Sequence, residues 1–351
     1  MGKALKKDYI TVLSVISSFC VVLLHVNNSC YWSCFKTEHW QSANIIECLC
    51  YFAVPVFFMI SGTTLIDYRE KYNTKTFFKK RFMKTFIPFI IWSVIGFLYC
   101  IKTGRITVEG NFFVAMIDSI INYKALHTFW FFPPLFSAYF LIPVISLIPK
   151  EKRQSIFKYI IFTGILLNSL LPFAFNLLAQ FAPNISPKLS FNGNYNLSVA
   201  SGCLIYLFIG YYISNYEIKK SSKAVIYALG ISALFVHIFG TAYISTENVS
   251  GLFKGYNNIP PILYSSAVFL FFKNLNFNKA KFVVKISEFF SGETFGVYLI
   301  HMFIIWFITA KFNTPFHSLW YRVFGAVGIF LAAALIVKLV RKIPFLKFIF
   351  P

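Results

Sequence analysis

Ten apolar stretches, each near the roughly 20 residues that a helix needs to cross hydrocarbon, run through the 351 residues of this chain. They fall at 9–27, 45–66, 84–101, 126–148, 157–178, 199–216, 224–243, 259–274, 289–310 and 319–341, the eighth being the shortest. With 58% hydrophobic and 13% charged residues, a soluble domain of this size has too little polar surface to cover its core. A bilayer removes that difficulty. The predicted fold class is therefore all-α: a polytopic integral membrane helical bundle of about ten transmembrane helices. Residues 1–351 read as a single domain without internal repeats, and connections of 24 residues or fewer leave no room for a fused soluble domain.

The net charge of +21 sorts by connection. All but eight of the 33 Lys and Arg residues lie in the N-terminus, 67–84, 150–158, 217–223, 273–285 and the C-terminal end. Those are alternate connections, and cytoplasmic loops are the ones that keep positive charge, so both termini are expected in the cytoplasm. The basic excess is a topology signal, and no nucleic-acid partner follows from it. The first span carries a histidine and no small-residue cleavage pattern follows it, so it reads as a retained helix. Heavy use of Phe, Ile, Asn and Lys hints at an AT-rich bacterial genome and identifies no organism.

Five of the seven cysteines, Cys20, Cys48, Cys50, Cys100 and Cys203, lie in or beside apolar spans, where Cys behaves as a small hydrophobe. Cys30 and Cys34 fall in an expected outer loop, at a spacing that permits a disulfide or two free thiols. No pattern of Cys and His resembles a metal site.

Polar groups inside spans cost free energy unless paired or facing water, so they are where chemistry is sought. His25 ends the first span in VVLLHVNN, Glu47 opens the second in ANIIECLCYF, His127 opens the fourth in ALHTFWFFPP, and His301 sits within the ninth. The alternating topology puts all four toward the outer half of the bilayer. Lys79, Lys80, Arg81 and Lys84 gather at the cytoplasmic mouth of the third span in FFKKRFMKTFIPF.

Six segments in order then resemble the membrane acyltransferase 3 family, whose members transfer acyl groups onto extracytoplasmic glycans and related acceptors. DYITVLSVISSFCVVLLHV resembles its opening helix with a terminal His, here His25. AVPVFFMISGTTLI is similar to its FF-x-x-SG signature, with Ser61 and Gly62. FFKKRFMKTFIPF looks like its basic, proline-containing entry to the third span. HTFWFFPPLFSAYFLIPVI matches an aromatic pattern at Trp130, Tyr139 and Pro143, and LFIGYYI and TFGVYLIHMFI complete the series. One position departs: the family commonly has Arg eleven residues before the His, and this chain has Ser14.

The resemblance implies an O-acyltransferase of the bacterial cytoplasmic (inner) membrane, with acetyl the expected group, that holds no bound cofactor and takes acetyl-CoA or another acyl-CoA as donor substrate. Its acceptor would be an extracytoplasmic polysaccharide or lipid-linked saccharide. His25 is the expected general base or acyl carrier, since a histidine titrating near neutrality can take the hydroxyl proton and return it. The alternative is a histidine at headgroup level bonded to water. Glu47 either orients His25 or is a carboxylate favoured by its helix N-terminus. Arg81, with Lys84 and Lys80, suits the phosphates of coenzyme A, although any cytoplasmic loop collects such residues. His127, Trp130, Tyr139 and His301 are cavity-lining candidates, with packing or interface anchoring as the competing reading for the aromatics and a helix-to-helix bond for His301. His39, His237 and His317 read as loop or packing residues, and Asp8 and Glu293 as helix-start carboxylates. The outer segment 179–198 supplies amides and aromatics that suit a sugar. The rival functions are a transporter or flippase-like carrier and a non-catalytic sensor module, neither of which needs a general base at His25.

Overall fold

A computed structural model of the protein describes residues 3–182, 184 and 191–351, with side chains from Asp8 onward. It is 77% helical, with no strand among the described residues. The helices are α1 (Lys3–Ser33), α2 (Trp40–Cys50), α3 (Ala53–Leu65), α4 (Thr74–Arg81), α5 (Ile87–Lys102), α6 (Phe112–Ile121), α7 (Phe132–Ile145) and α8 (Lys150–Ile165). They continue with α9 (Leu171–Phe181), α10 (Ile205–Asn215), α11 (Lys220–Phe235), α12 (Thr241–Ile244), α13 (Ile259–Asn274), α14 (Lys281–Ser291), α15 (Thr294–Lys311) and α16 (Leu319–Val340).

Eight segments among the described residues are long and apolar enough to cross a membrane. The expected sixth and eighth spans form shorter helices, Gly202–Asn215 and α13. At 16 residues and 1.5 Å per residue, α13 reaches about 24 Å, less than the roughly 30 Å of hydrocarbon. Two amphipathic helices, α6 and α14, occupy stretches that the hydropathy pattern assigns largely to connections. They bare Phe113, Val114 and Ile117 in one, and Phe282, Val283 and Phe289 in the other. Phe140, Tyr243, Phe282 and Trp320 are among many large apolar side chains left exposed, a surface that suits lipid and not water. All seven cysteines, including Cys30 and Cys34, are buried free thiols.

The chain divides into two compact units. The first comprises 1–66 and 147–334. Its helices approach closely where small residues permit. A Cβ on Gly62 would lie 2.1 Å from the Leu207 carbonyl oxygen and one on Gly210 would lie 2.3 Å from that of Met59, so α3 and α10 touch backbone to backbone. Thr63 Oγ1 adds a bond to the Gly210 carbonyl at 3.0 Å. The SG and LFIGYYI motifs are thus the two halves of one helix contact.

Three helices set their register on α1. Ser18 Oγ bonds Thr294 O at 3.3 Å and His25 meets His301 at 3.1 Å; seven residues separate the pairs on either helix, so α15 runs parallel to α1 on one face. Asn27 meets Arg322 and Phe19 meets Phe330, which makes α16 antiparallel. Asn27 Nδ2 donates to Ala43 O at 2.9 Å and Trp40 Nε1 to Tyr31 O at 3.0 Å, which makes α2 antiparallel too. That last register puts Glu47 within about half a helical turn of His25 in depth.

The second unit comprises 67–146 and 335–351. Arg69 Nε donates to Ser146 Oγ at 2.7 Å, and Trp92 Nε1 to Ile349 O at 3.0 Å, tying the C-terminal residues to α5. Pro88 denies Lys84 its usual i+4 donor, and the backbone takes a wider π-helical turn over Phe82–Phe86.

Topology is tested with single cysteines at exposed positions, against a background of buried native thiols. In intact cells, cysteines at Asn73 and Ser221 should resist a membrane-impermeant thiol reagent, while one at Gly251 should label. The reverse pattern would overturn the assignment of both termini to the cytoplasm. Lys188, another outer position in the sequence pattern, lies outside the described residues, as do residues 183, 185–187, 189 and 190 of the outer segment.

Candidate active site

At one end of the first unit, His25 and His301 face each other, with ring centroids 4.9 Å apart. His301 is fully buried, and its Nδ1 lies 2.7 Å from the Tyr298 carbonyl and 3.1 Å from that of Val297. Only a protonated Nδ1 suits two carbonyls, so in the neutral ring Nε2 is the acceptor. His25 Nδ1 in turn lies 2.7 Å from Val21 O and 3.1 Å from His301 Nε2. Both are acceptors, so the His25 proton sits on Nδ1 and the basic lone pair on Nε2. A histidine held in one tautomer by a buried second group is what general-base chemistry requires.

Glu47 forms an ion pair with Lys254, Oε1 to Nζ 2.7 Å, with side chains only 9% and 15% exposed. The same ammonium lies 4.0 Å from the Tyr31 ring centroid, 5.0 Å from Trp32 and 5.8 Å from Tyr51, all attractive cation–π distances. Tyr51 stacks on Tyr256 at 4.4 Å, and Tyr206 donates to the Tyr256 carbonyl at 2.6 Å. Burial raises the Tyr256 phenol well above its ordinary range, so it stays neutral beside Lys254. His237 sits in a π-helical turn, with its ring edge on Tyr51 at 5.3 Å.

Arg322 is fully buried on α16. It donates to Asn27 Oδ1 at 2.9 Å and Ser42 Oγ at 2.5 Å, and no carboxylate among the described residues pairs with it. The guanidinium therefore joins α1, α2 and α16 two residues beyond His25 on α1.

The second unit holds the remaining candidates. Arg81 ends α4, its guanidinium carbon 5.7 Å from the Tyr139 ring centroid and 5.9 Å from that of Phe77; its Nε is buried without a hydrogen-bond partner. Tyr139 Oη lies 3.3 Å from Thr85 Oγ1, so the structure brings Arg81 and Tyr139 together. Lys80 Nζ sits 3.9 Å from the Tyr72 ring centroid, and Lys84 is exposed within the π-helical turn. His127 is exposed at the start of a short 3-10 turn, and Trp130 is half-buried within it. No cluster of three or more His, Cys, Asp or Glu suited to a metal occurs among the described residues.

A family profile described as an acyltransferase domain, that of acyltransferase family 3, matches residues 7–338. The chain belongs to the acyltransferase 3 family. Neither a curated protein nor a solved structure matches it at a significant level. Family membership together with eight membrane-length apolar helices makes this acyltransferase 3 protein a multi-pass membrane protein of an acyltransferase family.

Two residues of the polar cluster, Lys254 and Arg322, escaped the sequence reading. Both are among the eight basic residues that fall outside the positively charged connections, and that misplacement was the available signal.

Proposed function

We propose that this chain is a membrane O-acyltransferase of the bacterial cytoplasmic membrane, with about ten spans and cytoplasmic termini. In this reading it moves an acetyl or other acyl group from cytoplasmic acyl-CoA to a hydroxyl of an extracytoplasmic polysaccharide or lipid-linked saccharide. The observation that carries the reading is the His25–His301 pair, which puts the basic lone pair of His25 on Nε2. In the reaction, Nε2 takes the acceptor hydroxyl proton as the oxygen attacks the thioester carbonyl. The C–S bond then breaks, an ester forms, and the proton passes to the departing thiolate. His301 acts here as a positioning residue, the role that the sequence alone suggested for Glu47.

Donor binding is assigned to Arg81, with Lys80 and Lys84 beside it. The buried, unpartnered Nε of Arg81 supports this, since such a donor is costly unless an anion completes it. Arg81→Ala should weaken coenzyme A binding to purified protein by about 1.5–3 kcal/mol while leaving the protein folded. Unchanged affinity would return Arg81 to a purely topological role.

His301→Asn should lower kcat by about tenfold or more and leave donor KM unchanged, because it loosens the tautomer and not the donor site. A matched rise in KM would refute positioning. The reading as a whole is tested with vesicles bearing the protein and acetyl-CoA labelled in the acetyl group. Release of free coenzyme A with base-labile label on saccharide is expected. Label that crosses the membrane still attached to coenzyme A would favour the carrier reading and sink this one.

A further inference from the structure

The first unit contains a cavity of about 530 Å³ that the proposed chemistry does not use. Four side-chain amides line it, those of Asn168, Asn176, Asn196 and Asn257, with Phe191 and Tyr195 on the aromatic wall. No charged residue is among the described residues that line it.

The cavity is held open by the backbone. Pro172 has no N–H, so the Asn168 carbonyl lacks its usual i+4 donor, and a π-helical turn spans Leu166–Leu170. Asn257 Nδ2 donates to that carbonyl instead. The Asn168 side chain brackets Leu197, donating to its carbonyl at 2.9 Å and accepting from its N–H at 2.8 Å. The α8–α9 junction, the 191–201 segment and the 254–257 segment are thereby pinned to one another. The bond to a carbonyl fixes the Asn257 amide with nitrogen toward Asn168, which leaves Oδ1 a buried acceptor without a protein donor. Phe175, Phe191 and Tyr195 follow one another at 5.5 and 6.3 Å between centroids.

A ligand for such a site offers many groups that both donate and accept, apolar faces between them, and no charge. Amides match hydroxyls in both senses, while aromatic rings cover C–H faces. A phosphate or carboxylate would find no cation among the described residues that line the cavity. We propose that the cavity binds a neutral oligosaccharide segment, and that it holds the acceptor of the acyl transfer proposed above. The word acceptor rests on that reading; the binding does not. Lys254 and Tyr256, within three residues of Asn257 in sequence, pack against Glu47 and Tyr51, so one short segment serves both the cavity wall and the polar cluster whose Glu47 the α1–α2 register sets at about the depth of His25.

The experiment uses the full chain in lipid nanodiscs, with maltotetraose, chitotetraose and a rhamnose tetrasaccharide as neutral probes and a tetraglucuronate as the charged control. Saturation-transfer NMR should show binding of at least one neutral probe. Tyr195→Ala and Asn176→Leu, both at exposed positions, should each weaken that binding about tenfold or more, with coenzyme A affinity unchanged. Tyr195→Phe, which keeps the ring, should lose far less. Failure of all three neutral probes, unchanged affinity in both variants, or variant-sensitive binding of tetraglucuronate in preference to them would each overturn the proposal. Variant-sensitive binding without any acyl transfer would uphold the cavity and remove only the enzymatic reading. Acyl transfer whose sugar affinity ignores both variants would do the opposite.

Discussion

His25→Gln is expected to insert, fold and bind coenzyme A thioester, yet transfer acyl groups at least roughly 100-fold more slowly, the lower end of what a positioned acid–base group contributes. Glutamine keeps a polar side chain of similar reach, so the helix contacts of α1 through Ser18, Asn27 and Phe19 remain. What it removes is a nitrogen that can gain and return a proton. Expression level, donor affinity and transfer rate are measured on the same preparation. A variant that acylates its acceptor at near wild-type rate would sink the mechanism, while one that loses donor affinity along with rate would point to collapse of the bundle and not to chemistry.

How much of this was legible in the chain depends on what each residue's partner is. Apolar length made the membrane helices plain, because hydropathy is local. The sixth and eighth expected spans are the short ones: the eighth coincides with α13, Ile259–Asn274, and the sixth holds the helix Gly202–Asn215, both below the length of the other eight. Six linear motifs pointed to the family, and family membership holds over residues 7–338. Pairing was not legible. His301 and Glu47 were both visible as intramembrane polar groups near the depth of His25, but the heptad offset between α1 and α15 is what brings His301 onto His25, while Glu47 meets Lys254. Lys254 and Arg322 look like stray charges on the translocated side until their partners Glu47 and Asn27, some 200 to 300 residues away in sequence, are beside them. The amide-lined cavity was half legible: Phe191, Tyr195 and Asn196 fall in the 179–198 segment singled out for its amides and aromatics, whereas Asn168 and Asn257 are joined only by a carbonyl that Pro172 leaves open.

Lys254→Met should be the most destabilising single change in the polar cluster. It leaves the Glu47 carboxylate largely buried without its cation, and breaking a buried pair from one side costs about 3–5 kcal/mol. The reverse variant, Glu47→Gln, should cost less. Lys254 would keep the faces of Tyr31, Trp32 and Tyr51, each cation–π contact contributing about 0.5–2 kcal/mol, and would still meet the polar oxygen of the amide. The double variant Glu47→Gln with Lys254→Met should recover much of the loss, because neither charge is then stranded. Thermal unfolding in one fixed detergent gives the three stabilities, and transfer rate measured well below each midpoint separates folding from chemistry. Additive losses in the double variant would mean that the two charges do not stabilise each other. A Glu47→Gln protein of wild-type stability but reduced rate would assign the carboxylate to His25 after all, since only a group acting on the base, and not one neutralising Lys254, can alter the rate without altering the fold.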